Sequence, residues 1–443
     1  MKSSQFRTPL NLKCLCAVAV ALAAAAGVAP RAARAQTVEL ERGRARQMLS
    51  NIKGEVKKHY YDATFRGVDL DARFKAAEEK IKQATTVGQM FGIIAQALAD
   101  LEDSHTFFLP PGRRASVDYG WQMQMVGDKC FVAAVRPGSD AEKQGLKRGD
   151  LVLEIDGFQI TRENLWKFEY LYYALRPRPG MNVTAQSPGG EPRRLAIAAK
   201  VERRDLDLTT GAGFGSMVRE AEAAARVSRH RYYEPGDAAF IWKMPGFDLA
   251  ESKIDEIMDK VKKHKALVLD LRGNGGGYVV TLERLVGHLF DRDIKIADLK
   301  GRKEMKPSVA KRRAPTYTGK LIVLVDSRSG SASELFARVV QLEKRGTVVG
   351  DRTAGAVMQS RLYDMTMGVE TITVYGVSIT EADVIMSDGR SLERIGVTPD
   401  EVRLPTADDL AAGRDPVLAY ALSLAGIEVD AAKAGALFPV EWK

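Results

Sequence analysis

Apolar positions recur with a helical period from Val38 to about Ala99: Met48, Ile52, Val56; then Phe74, Ala77, Ile81; then Met90, Ile93, Ile94 and Leu98. Gly67 and the stretch Thr85-Thr86-Val87-Gly88 punctuate them, so a small helical region ending near Pro110-Pro111-Gly112 is expected. The pattern then changes. Short β-rich runs at Phe131–Val135, Leu151–Ile155, Asn182–Gln186 and Arg194–Ala198 are separated by Gly and Pro turns. From about Asp207 the chain alternates again. Strands are expected at Ala238–Met244, Ala266–Leu271, Leu321–Asp326 and Thr347–Val349, with helices at Leu249–Lys262, Thr281–Phe290 and Ser333–Leu342. That alternation predicts an α/β core with a largely parallel sheet, whose ligands collect at the carboxyl ends of the strands. Asp415-Pro416 opens a final helix, with Asp as N-cap and Pro at the first helical position.

The chain has 443 residues, which suits two or three domains. The net charge of +9 overstates its basic character, because residues 1–35 hold Lys2, Arg7, Lys13, Arg31 and Arg34 and no acid. No basic stripe follows, so nucleic acid is not an expected partner. The same 35 residues combine a positive start, an Ala-rich apolar run over Leu15 to Val28, and small residues at Ala33 and Ala35. They read as a signal peptide cleaved before Gln36, giving an exported, periplasmic or secreted protein without an integral membrane segment. The run is shorter than the roughly 20 apolar residues that span a bilayer. Cys14 and Cys16 leave with the leader, so the mature Cys130 has no pairing partner. A disulfide framework and a Cys-based zinc site are excluded, and no metal or cofactor is expected.

Four segments carry candidate chemistry. Leu267 to Gly277 reads LVLDLRGNGGG, a buried strand running into glycines that leave backbone N–H groups uncovered for a phosphate or an oxyanion. No Gly-Lys-Ser/Thr follows, so the phosphate reading lacks support. Leu321 to Val340 places Ser331 at a strand-to-helix corner, where the helix N-terminus favours negative charge. Ser331 with Glu334 also spells a plain capping box, and locally both readings stand. Leu101 to Pro110 holds Ser104 and His105, with Asp103 read as a cap of the turn. Ser387 to Asp400 holds Glu393 before a Gly-Val-x-Pro-Asp turn.

In this order, L-x-D-x-H, D-x-R-x-N-G-G-G, S-A-S-E and E-x-x-G-V-x-P-D resemble the C-terminal processing peptidases and their tricorn-like relatives. FVAAVRPGSDAEKQGLKRGDLVLEIDG, Phe131 to Gly157, resembles a PDZ domain. The resemblance implies a crotonase-like (ClpP/crotonase) α/β catalytic core with an N-terminal helical domain and a PDZ domain. The boundaries are 1–35 for the leader, 36–112 helical, 113–204 PDZ and 205–443 core. It further implies an exported serine peptidase acting on protein or peptide substrates with free C-termini, which Tyr119, Gly120, Trp121 and Gln122 would capture by strand addition. Ser331 becomes the nucleophile, with oxyanion donors from Ala332 and from Gly275 or Gly276. One branch of the family uses a Lys base in a loop after the nucleophile helix; here that loop is Thr353 to Gln359 and the Lys position is Ala356. The tricorn-like branch uses a His with an adjacent Ser and a Glu, which carries over to His105 as base, Ser104 and Glu393. A catalytically silent binding protein on the same fold is the alternative.

Overall fold

The computed structural model describes residues 12–112, 115–203, 229–368 and 372–442. Three strand-and-helix groups match the pattern of the chain, each with its own apolar cluster. The first helices, Leu12–His59, Leu70–Gln83 and Val87–Ala99, bury Met48, Ile52, Val56, Phe74, Ile81, Met90, Ile94 and Leu98, the positions that the helical period selects. Asp69 and Thr86 cap the second and third through their side chains. Of the leader expected over 1–35, residues 1–11 lie outside the described residues, and the first helix runs unbroken across Ala35 and Gln36. Among the described residues no helix is long and apolar enough to cross a membrane.

These helices do not stand alone. Their cluster continues into Tyr375, Val377 and Ile379 of the long strand Thr373–Met386. The short strand Phe107–Leu109 pairs antiparallel with the same strand at Ser378 to Gly376. His105, two residues upstream, is therefore anchored to the far end of the chain.

The middle group is a β-sheet in the order Trp121–Val126, Lys129–Val135, Leu151–Ile155, Gly180–Gln186, Pro192–Ala198. Trp121–Val126 is an edge strand. The helical stretch Leu165–Leu175 packs on the cluster beneath it through Leu165, Phe168 and Tyr172. The boundaries expected at 113 and 204 fall on positions outside the described residues, as does the onset of alternation near Asp207.

The core sheet runs Arg231–Tyr233, Ala239–Lys243, Ala266–Asp270, Lys320–Val325, Thr347–Gly350, Glu401–Val402, all parallel after the first strand. Its central strands Ala266–Asp270 and Lys320–Val325 are apolar except at Asp270 and Lys320, because both faces are covered. Leu267, Leu269, Leu321 and Val323 face helices Glu251–Val261, Val279–Gly287 and Ala332–Leu342. Ala266, Val268, Ile322 and Leu324 face Pro416–Leu424 and Ala431–Leu437. The helix opened by Asp415-Pro416 is thus not the last: Ala431–Leu437 follows, capped by Asp430. A second sheet, built on Thr373–Met386 and its partners Met358–Met367 and Ile294–Lys300, joins the core to the N-terminal helices.

Candidate active site

Two adjacent parallel strands end side by side. Ala266–Asp270 runs into the glycine loop, and Lys320–Val325 runs into the turn that ends at Ser331. Neighbouring parallel strands bring both loops to the same edge, as open α/β sheets do. Under them lies a buried ion network. Arg272 bonds both oxygens of Asp270 and of Asp415, and Lys243 Nζ stands 3.1 Å from Asp270. Burial opposes ionisation of Asp270, but Arg272 and Lys243 outweigh it and hold the carboxyl well below the usual range.

Ser331 takes φ 53° and ψ −117°, a backbone state that costs a non-glycine residue about 1–3 kcal/mol. Its N–H donates to Ala356 O at 2.8 Å and to Glu334 Oε2 at 3.0 Å, so the Glu334 half of the capping box is present. Ser331 Oγ is turned to His105, 3.4 Å from Nε2. That is long for a formed hydrogen bond and within the looser spacing of resting nucleophile–base pairs.

Behind the ring, Ser104 Oγ lies 2.7 Å from His105 Nδ1 and donates to Glu393 Oε2 at 2.8 Å, while Ser104 N–H donates to Glu393 Oε1 at 2.8 Å. A serine hydroxyl has one hydrogen. Given to the carboxylate, it leaves Ser104 Oγ an acceptor, so Nδ1 carries the ring proton and Nε2 presents its lone pair to Ser331. Burial holds the His105 imidazole below its ordinary value, with Asp103 opposing. Burial likewise lifts the Glu393 carboxyl against the donors from Val357 and Ser104. Asp103 Oδ1 accepts from His105 N–H, Thr106 N–H and Thr380 Oγ, the cap expected of it.

The two glycines expected as alternative donors differ. Gly276 N–H donates to Asn274 Oδ1 at 2.8 Å, whereas Gly275 N–H and Ala332 N–H have no partner among the described residues. Gly276 matters for space instead: at φ +106° a Cβ there would stand 2.6 Å from Ser331 Cβ. Asn274 and Ser333, which sequence reasoning passed over, tie the loop to the corner at Ser331. Asn274 O accepts from Gly330 N–H at 2.9 Å and Ser333 Oγ at 2.8 Å. Their signal in the sequence was only a position inside two motifs. Glu334, read as a cap, does more, since it also accepts from Thr353, Gly355 and Ala356, while burial pushes its carboxyl up to about 7.

Tyr119, Gly120, Trp121 and Gln122 lie elsewhere, at the start of the edge strand. Tyr119 is buried, its hydroxyl donating to Arg178 O. Gly120 has φ +74°, a Cβ there would meet Ser139 Cβ at 2.4 Å, and its N–H donates to Asp118 Oδ1. Trp121 and Gln122 line a cavity of about 1570 Å³ that touches neither Ser331 nor His105. Residues 326–328 hold the open side of the strand. Arg328 donates to Met123 O at 2.7 Å, Ser327 Oγ to Met125 O at 2.7 Å, and Gln124 donates to Asp326 Oδ2 at 2.8 Å.

Residues 240–403, which carry both oxyanion candidates, Ser331 and Glu393, match Peptidase family S41. Over that segment the chain is similar to peptidase family S41. It is a hydrolase of the serine type, and its similarity extends beyond the matched segment. A chloroplastic C-terminal processing peptidase from Tetradesmus obliquus is 26% identical over 364 residues, covering 78% of this chain and 74% of that one. The tail-specific protease of Haemophilus influenzae is 26% identical over 321 residues, covering 67% of this chain and 43% of its own length. The chain thus spans less than half of that bacterial relative. The crystal structure of mature CPAF superimposes with a TM-score of 0.63 at 15% identity, covering 84% of this chain and 94% of that one, a likeness of fold.

Proposed function

We propose that this chain is a peptidase of family S41 that cleaves protein or peptide chains through Ser331, with His105 as general base. The observation that carries this is the unbroken line Glu393, Ser104, His105, Ser331. Ser331 gives its proton to His105 Nε2 as Oγ bonds to the scissile carbonyl carbon. Charge on the carbonyl oxygen meets the N–H groups of Ala332 and Gly275 at the amino end of helix Ala332–Leu342. The imidazolium, steadied by Ser104 and Glu393, then protonates the departing amine. Water, deprotonated by the same nitrogen, releases the acyl group. Ala356, where the other branch places its lysine, contributes its backbone carbonyl to the Ser331 N–H and has nothing to titrate. Reaction of Ser331 with a fluorophosphonate probe, lost in His105→Ala, tests the assignment. An unlabelled, folded wild-type protein would favour the silent binding protein.

We read the core as crotonase-like, residues 36–112 as the helical domain and 113–204 as a PDZ domain that recognises free C-terminal tails. The open edge strand Trp121–Val126, with helix Leu165–Leu175 beside it, supports strand addition. Binding of an apolar-ended peptide as the free acid, against its C-terminal amide, tests carboxylate capture; equal affinities would remove it. Export by a leader over residues 1–35 rests on their charge and apolar pattern, and a mature start at Gln36 is its test.

A further inference from the structure

Ser331 and His105 are 226 residues apart in sequence and sit on different elements, yet their reacting atoms lie 3.4 Å from each other. The polar contacts that join them run through one loop. At one end, Glu334 Oε1 accepts from Thr353 Oγ at 2.6 Å and Gly355 N–H at 2.7 Å, and Oε2 accepts from Ala356 N–H at 2.9 Å and Ser331 N–H at 3.0 Å. At the other end, Val357 N–H donates to Glu393 Oε2 at 2.9 Å, the carboxylate that holds Ser104 behind His105. Five residues, Thr353 to Val357, therefore touch the support of the nucleophile and the support of the base.

Resting on the Ser331 and His105 reading, we infer that Glu334 is a positioning residue for the reaction: it pins Thr353–Val357 beneath Ser331 and so sets the Ser331–His105 gap. Helix capping alone would use one donor, from Ser331; the other three come from a loop about twenty positions downstream. Glu334 is fully buried, so each oxygen must find its donors within the protein. Glutamine there would turn an NH₂ toward two donors, and aspartate would fall one methylene short.

Two variants of the full chain test this, Glu334→Gln and Thr353→Val, the second removing one donor and leaving the carboxylate in place. The measurements are kcat and KM on a peptide substrate, the rate of Ser331 acylation by a fluorophosphonate, and the folded fraction. For Glu334→Gln, kcat and acylation should fall about 10²-fold, the cost of a misplacement near 1 Å, with KM within about twofold. Thr353→Val should lower both about five- to tenfold, the worth of the hydrogen bond to Glu334, while the loss of its hydroxyl as acceptor for Val397 N–H is read in the folded fraction. Wild-type acylation by either folded variant, or a loss carried by KM, overturns the inference and leaves Glu334 a cap. If Glu334→Gln does not fold, Thr353→Val decides by the same readings. Turnover by Ser331→Ala would overturn the underlying reading instead, whereas an active Glu334→Gln beside a dead Ser331→Ala overturns this inference alone.

Discussion

The corner at Ser331 and the edge strand at Trp121–Val126 sit on either side of the same short turn and are built in opposite ways. Around Ser331, the side chains of Asn274, Ser333, Glu334, Ser104 and Glu393 are each bonded to partners from distant elements, Asn274 through Met244 O and Glu334 through Thr353. Along the edge strand, the main chain faces a large cavity, and three residues, Asp326 to Arg328, supply the contacts on its open side. Over-determined geometry suits chemistry, where a displacement near 1 Å costs orders of magnitude. Exchangeable contacts suit recognition, where an arriving strand must replace what it finds.

Four experiments press on this contrast, the largest effect first. Ser331→Ala should abolish hydrolysis while leaving binding of free-acid peptides unchanged; a parallel loss of binding would mean the two regions are one site.

His105→Ala should come next, removing activity almost as completely, because in the proposed mechanism nucleophile and base act as a unit. The pH profile carries the same information. The depressed His105 is neutral and competent above its own value, and charges as pH falls through a midpoint below its ordinary 6.5. Glu334, lifted to about 7, is ionised above that value and loses acceptor capacity as it protonates. Both act in the same direction, so log kcat/KM should fall in acid with a slope steeper than one. A slope of one would assign the limb to a single group.

Gly276→Ala should cost on the order of 10²-fold in kcat, since its Cβ would press on Ser331 Cβ and tilt the glycine loop proposed to hold the oxyanion. Near-normal kcat in this variant would show the corner to be softer than its contacts imply. The smallest effect belongs to the edge. Arg328→Ala vacates Met123 O, and a free-acid peptide should then bind about fivefold tighter, the value of a hydrogen bond no longer displaced. Weaker binding would make Arg328 a ligand for the peptide rather than its competitor.

Much of this was legible beforehand. The apolar period selected the residues that bury between the N-terminal helices, and unbroken apolar runs marked strands covered on both faces, because burial acts on side-chain pattern alone. The motifs named Ser331, His105, Ser104 and Glu393 by type and order. The closing helix Ala431–Leu437 lies beyond the one opened by Asp415-Pro416, which the sequence pattern presents as the last.

Other facts had no local signature at all. That the helical region shares its core with Tyr375, Val377 and Ile379 depends on a strand more than 250 residues away. The choice between Gly275 and Gly276 turned on where Asn274 Oδ1 points, and the proton on His105 Nδ1 on which partner Ser104 serves. Glu334 looked like a cap because the cap is the local part of its role; its loop donors arrive only when the chain folds back. Which elements form and which residue types could carry the chemistry follow from spacing and side-chain character, and so were set by the order of residues along the chain. Distances, donor assignments and the bridge through Thr353–Val357 were decided by tertiary structure alone, because hydrogen bonds between distant segments exist only once packing brings them within 3 Å.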